Sequence, residues 1–342
     1  MKTDLLKRWH IHIWTVIILT AFSLTGCVSK PLTLWNDTAP AKTALIGYVK
    51  AVTSKGSPDY IPVEKRIAVF DLDGTLFLET DPTYFDWCLF EHRVLDDPSY
   101  KATEEQLAAA KASRNGTFPT LSSNRERMVS EAYKGLTIAE FDAFIRTFME
   151  EHQPGFIGLK RGDAFYKPMV EVVQYLVKNR FTVYVISGTD RLTVRPLAEK
   201  LNLPPSQVIG SDSTIVASGQ GEKDGLDYTY GKDDALLLGG KNLVKNLQMN
   251  KVTIIAREIG VQPVLAFGNS LTDASMLNYA IHGNKYKALG FMLLCDDLER
   301  EYGNASKAEK MRNDCAQNGW IPVSMRDDWK TIYGENVMKK QD

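Results

Sequence analysis

The sequence predicts an α/β fold, a doubly wound parallel sheet with a helical cap inserted after the first strand. Three segments, at residues 66–71, 181–190 and 262–273, run through apolar residues and then end abruptly in small and polar ones. Helical patterns lie between them, and this alternation is typical of a doubly wound sheet. Because the carboxyl ends of parallel strands meet at one edge, the three polar endings are expected to converge there as a site.

The first segment is expected to be a strand that is covered on both faces. Every residue between Arg66 and Asp71 is apolar, and a continuous apolar run with β-branched residues is typical of a buried parallel strand. Helical periodicity is found in the intervals between the strands, at residues 168–179, 252–260 and 273–281.

An insertion interrupts the first strand–helix unit. Residues 82–165 are rich in helix formers and predict a helical cap domain, so the core is expected to comprise residues 65–81 and 166–342. Residues 212–245 are dense in Gly and Asp, which predicts hairpins or loops.

The N-terminus has the pattern of a secretory signal. Basic residues precede an apolar stretch over residues 13–26, which is shorter than the ~20 residues that a membrane-spanning helix needs. The stretch ends in Leu-Thr-Gly-Cys27, which resembles the lipobox of bacterial lipoproteins. The resemblance implies that residues 1–26 are removed and that acyl chains on Cys27 anchor the protein to a membrane. The alternative is a buried apolar segment with an incidental cysteine.

The segment after the cysteine is expected to be a tether. Residues 27–64 mix Pro, Thr, Ser, Gly and Lys around one short helical patch at residues 44–49. In an organism with two membranes, the lipoprotein resemblance and Val28 after the cysteine imply the periplasmic face of the outer membrane. We therefore expect an extracytoplasmic, lipid-anchored protein of the cell envelope.

Composition excludes some classes of partner. The formal net charge is −1, and no basic block with interleaved aromatic residues occurs, which argues against a nucleic-acid partner. Cys88, Cys295 and Cys315 follow no zinc-binding pattern. In an oxidising compartment Cys295 and Cys315 either pair or remain free thiols. The sequence leaves the oligomeric state open.

Two carboxylates stand at the end of the first predicted strand. Asp71 and Asp73 are two residues apart, so their side chains are expected on the same face of the strand end. Two like charges this close require a cation or a proton. Magnesium binds carboxylate and carbonyl oxygens, so the pair predicts a Mg²⁺ site with Asp71 and Asp73 as ligands.

The same residues carry a family resemblance. Asp71-Leu-Asp73-Gly74-Thr75 resembles the first motif, DxDGT, of the haloacid dehalogenase superfamily of phosphotransfer enzymes. Three further segments resemble the later motifs in the required order: Ser187-Gly188-Thr189, Lys251, and residues 268–273. The resemblance spans about residues 65–300 and implies a haloacid dehalogenase-like, Rossmann-like core.

The resemblance also implies roles. Asp71 would attack phosphorus and form an aspartyl-phosphate, and Asp73 would serve as general acid and then as general base. Phosphoryl oxygens would be bound by donors of the first three motifs. These are Thr75, Ser187, Gly188 and Lys251.

The third-motif lysine has three candidates. Lys241, Lys245 and Lys251 all precede the fourth motif. Lys251 is favoured because it stands at a predicted helix start. For the other two, a solvated surface charge is the alternative.

The fourth motif departs from its usual form. It commonly begins Gly-Asp, but Asn269 follows Gly268 here, and an amide oxygen can bind magnesium without bringing a charge. Either Asn269 binds the metal directly and Asp273 holds a metal-bound water, or Asp273 is itself a ligand. Asn269 as a simple turn residue is the third possibility.

A cap directly after the first motif resembles the phosphoserine phosphatase-like branch, and the extracytoplasmic phosphorylcholine phosphatases within it. Glu79 and Asp81 precede Tyr84 and Trp87 where the cap begins. Acidic and aromatic side chains together suit a cationic head group. Alternatively, the aromatic residues form the apolar face of the first cap helix.

These observations predict a Mg²⁺-dependent hydrolase of small phosphomonoesters, with an amino-alcohol phosphate as one substrate class. A phosphotransferase or mutase of the same fold is the chemical neighbour. A non-catalytic, ligand-binding lipoprotein is the alternative of a different class, because Asn269 replaces an acid.

Overall fold

A computed structural model describes residues 30–120 and 122–341. The signal peptide predicted at residues 1–26, the lipidation site at Cys27 and the sorting residue Val28 lie outside the described residues. Within those residues, no helix combines the length and apolar character needed to cross a bilayer.

The described part of the chain contains nine strands. They are β1 (Ile67–Phe70), β2 (Phe156–Ile157), β3 (Thr182–Asp190), β4 (Val208–Ala217), β5 (Leu236–Val244), β6 (Leu265–Gly268), β7 (Leu289–Leu294), β8 (Ile321–Ser324) and β9 (Met338–Lys339). Seven of them form one sheet in the order β5-β4-β3-β1-β6-β7-β8, and β2 pairs with β9. Every neighbouring pair in the seven-stranded sheet is parallel except β4 and β5.

Eleven α-helices accompany these strands in the described residues. They are α1 (Pro40–Thr53), α2 (Phe85–Leu95), α3 (Glu104–Arg114), α4 (Ser123–Ala132), α5 (Ile138–Met149), α6 (Lys167–Lys178), α7 (Arg191–Ala198), α8 (Met249–Ile254), α9 (Ala274–Ile281), α10 (Ala305–Asn318) and α11 (Met325–Asp328). A π-helical turn, Ile255–Ile259, continues α8.

Strand β1 is buried on both faces, which explains its uninterrupted apolar sequence. Ile67 and Val69 join a hydrophobic cluster with residues of α9 and α10, whereas Ala68 and Phe70 join a cluster with residues of α6. Helices therefore cover both faces of the sheet, and the predicted doubly wound α/β fold is confirmed.

Aromatic stacking aligns the ends of the central strands. The Phe70 ring of β1 stacks on Phe267 of β6 at 4.2 Å between centroids, and Phe267 stacks on Phe291 of β7 at 4.8 Å. These three residues are register partners in the sheet. Asp71 and Gly268, which follow Phe70 and Phe267, are thereby brought to the same edge.

The segment before β1 belongs to the core. Helix α1 buries an apolar stripe that includes Leu45, Tyr48 and Val49. Trp35 is 1% exposed and packs edge-to-face on Trp329, with 5.9 Å between ring centroids. The short helical patch predicted at residues 44–49 lies within α1. The residues around it, which were predicted as a tether over residues 27–64, pack into the core from residue 31 onwards.

Helices α2–α5 lie between β1 and α6, within the insertion predicted as a cap. Both connections to the core are held together, because Leu78 N donates to Ala164 O at 3.0 Å and Tyr166 N donates to Leu76 O at 2.9 Å. The insertion therefore leaves and re-enters the core at neighbouring points.

Strands β4 and β5 form the hairpin of the region predicted to contain hairpins or loops, and this hairpin touches the cap. Leu238 N donates to Leu136 O at 2.9 Å, and Gly135 N donates to Leu238 O at 2.8 Å. Cys88, Cys295 and Cys315 are free thiols, so Cys295 and Cys315 do not pair.

Candidate active site

Asp71 and Asp73 lie at the edge of the sheet where β1 ends. Asp71 N donates to Phe267 O at 2.9 Å, which extends the β1–β6 ladder by one residue. The chain then turns sharply, with Leu76 N donating to Leu72 O at 2.8 Å. The side chains of both aspartates are more than nine-tenths buried yet line the same cavity.

Gly74 allows this turn for two reasons. Its φ of +76° is unfavourable for residues with a side chain. In addition, a Cβ atom at this position would lie 1.9 Å from Asn269 Nδ2 and 2.6 Å from Glu79 Oε2. The glycine therefore lets the turn pack directly against the fourth-motif loop.

Lys251 joins the first and fourth motifs. Its Nζ lies 2.5 Å from Asp71 Oδ1 and 2.7 Å from Asp273 Oδ1, and the side chain is completely buried. Burial opposes its charge, but the carboxylates of Asp273 and Asp71 outweigh burial and raise the pKa of Lys251. The ammonium group therefore remains charged beside Asp71.

The other two candidate lysines do not contact Asp71, although Lys245 lines the same cavity. Lys241 is exposed on β5. The Lys245 Nζ lies 2.8 Å from Glu126 Oε2 on α4. Of the three, Lys251 is the lysine that contacts the two aspartates.

The two aspartates at the end of β1 have different surroundings. Burial, followed by the nearby Asp273 carboxylate, raises the pKa of Asp71 to about 7, although Lys251 opposes the shift. Burial and then Asp71 raise the pKa of Asp73 well above its ordinary value, and Asp73 Oδ2 accepts a 2.9 Å hydrogen bond from Thr189 Oγ1. Asp73 is thus suited to carry a proton near neutral pH.

The Ser187-Gly188-Thr189 segment lies beside this pair at the end of β3. Gly188 and Thr189 line the cavity together with both aspartates. Ser187 is fully buried, and its Oγ accepts a 3.0 Å hydrogen bond from Thr189 N. Asn246 Nδ2 donates to Ser187 O at 3.0 Å and so holds the backbone of this segment in place.

Asp273 organises the fourth motif through hydrogen bonds. One of its oxygens contacts Lys251, and the other accepts from the backbone N–H groups of Asn269 and Ser270 at 3.1 and 3.2 Å. Both carboxylate oxygens are therefore occupied by protein donors.

Asn269 presents its amide oxygen toward the first motif. Asn269 Oδ1 lies 3.4 Å from Thr75 Oγ1, which lies 3.5 Å from Asp71 Oδ2. The Asp71 oxygen that does not contact Lys251 thus faces the same small space as an amide oxygen. No three His, Cys, Asp or Glu side chains of residues 30–120 and 122–341 form a metal-binding group by themselves.

The donor set fits magnesium. Asp71 Oδ2 and Asn269 Oδ1 are hard oxygen donors, the kind that Mg²⁺ prefers. Asp71 and Asp273 share the Lys251 ammonium group, and the Asp71 carboxylate raises the pKa of nearby Asp73, so three carboxyl groups lie close to one lysine. A divalent cation would also lower the pKa of Asp71 and favour its ionised form.

A cavity of about 390 Å³ opens above these residues and extends beneath the cap. Both core and cap supply its walls. Its cap residues are Thr83, Tyr84, Asp86, Trp87, Phe118, Pro119 and Arg125.

The four residues predicted to contact substrate lie in different surroundings. Tyr84 is 44% exposed at the cavity, whereas Trp87 is 1% exposed and donates through Nε1 to Ser113 Oγ at 2.8 Å inside the cap. Glu79 lines the cavity.

Asp81, which the sequence predicts as a substrate residue, does not line the cavity. Its carboxylate accepts from Gly155 N at 2.7 Å and from Gln153 Nε2 at 3.2 Å. It therefore holds the start of the cap to the end of the cap.

Several cavity or site residues were not predicted. Thr189 belongs to the second motif, but Ser187 is the hydroxyl that the motif predicts to bind phosphate. Arg125 is packed with its guanidinium carbon 5.0 Å from the centre of the Trp87 ring and lies 3.3 Å from Asp86. Lys307, on α10, lies 2.9 Å from Glu79 Oε1 across 228 residues of sequence, and no sequence pattern indicates this contact.

Comparisons with solved structures find matches of low sequence identity. A protein of unknown function from Bordetella pertussis Tohama I is 15% identical, with 76% of this chain and 98% of that chain covered and a TM-score of 0.48. Cytosolic 5'-nucleotidase IIIB bound to cytidine is 13% identical, with 85% of this chain and 87% of that chain covered and a TM-score of 0.49. A phosphoserine phosphohydrolase-like protein from Francisella tularensis is 16% identical, with coverage of 72% and 92% and a TM-score of 0.37.

No curated protein matches the chain in sequence. The family model of haloacid dehalogenase-like hydrolases matches residues 68–278, which is more than half of the chain. The matched range includes all four motifs. The chain therefore belongs to the haloacid dehalogenase-like hydrolase family.

Proposed function

We propose that the protein is a Mg²⁺-dependent phosphomonoester hydrolase that acts through an aspartyl-phosphate. One observation carries the proposal: Lys251 holds Asp71 and Asp273 together while Asp73, bound to Thr189, lies in the same cavity. This arrangement combines a nucleophile, a proton carrier and a buried cation.

Asp71 is the proposed nucleophile. A carboxylate oxygen of Asp71 attacks phosphorus, the bond from phosphorus to the leaving oxygen breaks, and an acyl phosphate forms on Asp71. Lys251 holds Asp71 in place and offers positive charge to the phosphoryl oxygens. Asp71 and Asn269 would hold magnesium, with Asp73 beside them, and the metal would supply further charge neutralisation.

Asp73 is the proposed general acid and base. Its raised pKa supports the protonated form, which gives its proton to the leaving oxygen. The resulting carboxylate then takes a proton from the water that attacks the aspartyl-phosphate. Phosphate leaves, and Asp71 and Asp73 return to their starting states.

The proposed substrates are small phosphomonoesters, with amino-alcohol phosphates among them. The Tyr84 hydroxyl lies near several acidic groups. Glu79, followed by burial and by the carboxylates of Asp73, Asp71 and Asp86, raises the pKa of Tyr84. An acidic neighbourhood beside aromatic rings supports a cationic leaving group. Arg125 already covers the Trp87 ring, so Tyr84 and Phe118 are the rings that would meet that group.

Magnesium-dependent hydrolysis of p-nitrophenyl phosphate tests the enzymatic proposal. We expect Asp71→Asn to lose at least ~10³-fold in kcat, because it removes the nucleophile. EDTA should abolish the wild-type activity and added Mg²⁺ should restore it. Full activity of Asp71→Asn would contradict the assignment of the nucleophile.

We further propose that the protein is lipid-anchored through Cys27 at the cell envelope. The support is the apolar stretch that ends in Leu-Thr-Gly-Cys27. Metabolic labelling with a radioactive fatty acid should mark the wild-type chain and not Cys27→Ser. Equal labelling of both chains would contradict this proposal.

A further inference from the structure

Glu79 connects the fourth motif to a distant helix. Its Oε2 accepts a 2.9 Å hydrogen bond from Asn269 Nδ2, and its Oε1 lies 2.9 Å from Lys307 Nζ on α10. Glu79 is 8% exposed, and Asn269 is equally buried. A buried carboxylate therefore uses one oxygen to hold the amide and the other to hold a cation.

This contact fixes which way the Asn269 amide points. An amide has one donor end and one acceptor end, and Glu79 can accept only from the donor end. With Nδ2 directed to Glu79, the oxygen Oδ1 is turned toward Thr75 and the free oxygen of Asp71. A reversed amide would direct its oxygen at the Glu79 carboxylate, with two acceptors facing each other.

The packing leaves the amide little freedom to move away. A Cβ on Gly74 would lie 1.9 Å from Asn269 Nδ2, so the backbone of the Asp71–Thr75 turn presses directly on the amide. Glu79 therefore holds the amide from one side and the turn holds it from another.

We infer that Glu79 is a positioning residue for the metal site: it compensates for the missing acid of the fourth motif by orienting the Asn269 amide oxygen toward the cation. Glu79 does not contact the cation in this arrangement, because both of its oxygens bind protein donors. Lys307 supplies a positively charged partner to the second oxygen of this buried carboxylate. This inference rests on the proposed function.

The test measures Mg²⁺ affinity by isothermal titration calorimetry on the folded protein without substrate. We expect Glu79→Met to weaken Mg²⁺ binding about 10–100-fold, the usual effect of removing a partner that orients a metal ligand. Asp81→Asn is the matched control, because Asp81 is equally buried two residues away but lies outside the cavity. Its Mg²⁺ affinity should equal that of the wild type.

A second variant separates orientation from charge. The double variant Glu79→Met with Lys307→Met keeps the wild-type net charge but still lacks the acceptor that orients the Asn269 amide. We therefore expect its Mg²⁺ binding to stay as weak as that of Glu79→Met. Recovery of affinity in this double variant would attribute the effect to charge alone and overturn the inference. Wild-type affinity in Glu79→Met would overturn it as well.

An exchange of the two groups provides a rescue. Glu79→Gln leaves a single acceptor oxygen for two donors, so we expect weaker Mg²⁺ binding. Adding Asn269→Asp returns a carboxylate to the site and is expected to restore affinity to within about threefold of the wild type. A swapped variant that binds no better than Glu79→Gln would contradict the inference, and this comparison decides the matter if Glu79→Met does not fold. A wild type that binds no Mg²⁺ would overturn the proposed metal site itself.

Discussion

At the scale of single residues, Lys251 holds two buried carboxylates together, and its removal would leave them facing each other. We expect Lys251→Met to lower the free energy of unfolding by about 3–5 kcal/mol at pH 8, the cost of leaving buried charges unpaired. The loss should shrink at pH 5, because burial raises the pKa of Asp71 to about 7, and protonation of Asp71 removes the repulsion. Urea unfolding at the two pH values measures it, and an equal loss at both would contradict this account.

Glu301 provides a pH test away from the active site. It is 1% exposed, and its carboxylate accepts hydrogen bonds from Tyr302 N and from the Tyr333 hydroxyl. Burial raises the pKa of Glu301 from 4.5 to about 7. Between these values the folded chain holds a proton that the unfolded chain releases, so this group makes stability fall as pH rises toward 7.

We therefore expect Glu301→Gln to remove roughly 3 kcal/mol of the decline in unfolding free energy between pH 4.5 and 8, at about 1.4 kcal/mol for each pKa unit. Denaturant unfolding of both proteins across this range measures the difference in slope. Parallel curves would show that Glu301 is ionised in the folded chain throughout.

The sequence indicated some of these residues and not others. Asp71 and Asp73 could be predicted because alternate residues of a strand end share a face, which is a local property. The contact of Glu79 with Asn269 and Lys307 could not, because it joins three distant segments and depends on how α10 packs. The surroundings of Asp81 could not be predicted either. An acidic side chain near aromatic residues suits a cationic ligand, but in the structure Asp81 binds Gln153 and Gly155, which are distant in sequence.

At the scale of elements, the contact between the cap and the β4–β5 hairpin is expected to stabilise α4. Lys245 and Glu126 join the end of this hairpin to α4 with both side chains less than a quarter exposed. We expect Lys245→Met to speed hydrogen exchange in α4 by about two- to fivefold, since such a pair contributes at most ~1 kcal/mol. Lys241→Met, on exposed β5 surface, is the control and should leave α4 unchanged.

Elements with simple patterns were predictable and the others were not. Strand β1 could be predicted because both of its faces are buried, which requires a continuous apolar sequence. Helix α6 could be predicted because its apolar residues recur with helical spacing. The apolar patch at residues 44–49 predicts the middle of α1, but the surrounding Pro, Ser and Gly residues hide how far this helix extends. Packing of Tyr48 and Trp35 against distant parts of the core decided its position.

At the scale of the whole molecule, the segment from residue 31 to β1 is part of the folded unit. A chain that begins at Lys30 should unfold cooperatively, at the same midpoint as the full chain. A chain that begins at Lys65 lacks Trp35 and α1, and it should fail to fold. Removing the Trp35 ring alone, as in Trp35→Ala, should cost about 3–5 kcal/mol. Circular dichroism melting compares the four proteins, and a stable chain from Lys65 would contradict this.

The paired connections of the cap have a consequence for how such a protein diversifies. Because Leu78 and Ala164 are hydrogen-bonded neighbours, everything between them could be exchanged for another insert without changing the separation of the core ends. Under the proposed function, the reaction centre and the insert proposed to select the leaving group therefore occupy separate parts of the chain. A transplanted cap would alter which esters enter while Asp71, Lys251 and Asp273 stay in register.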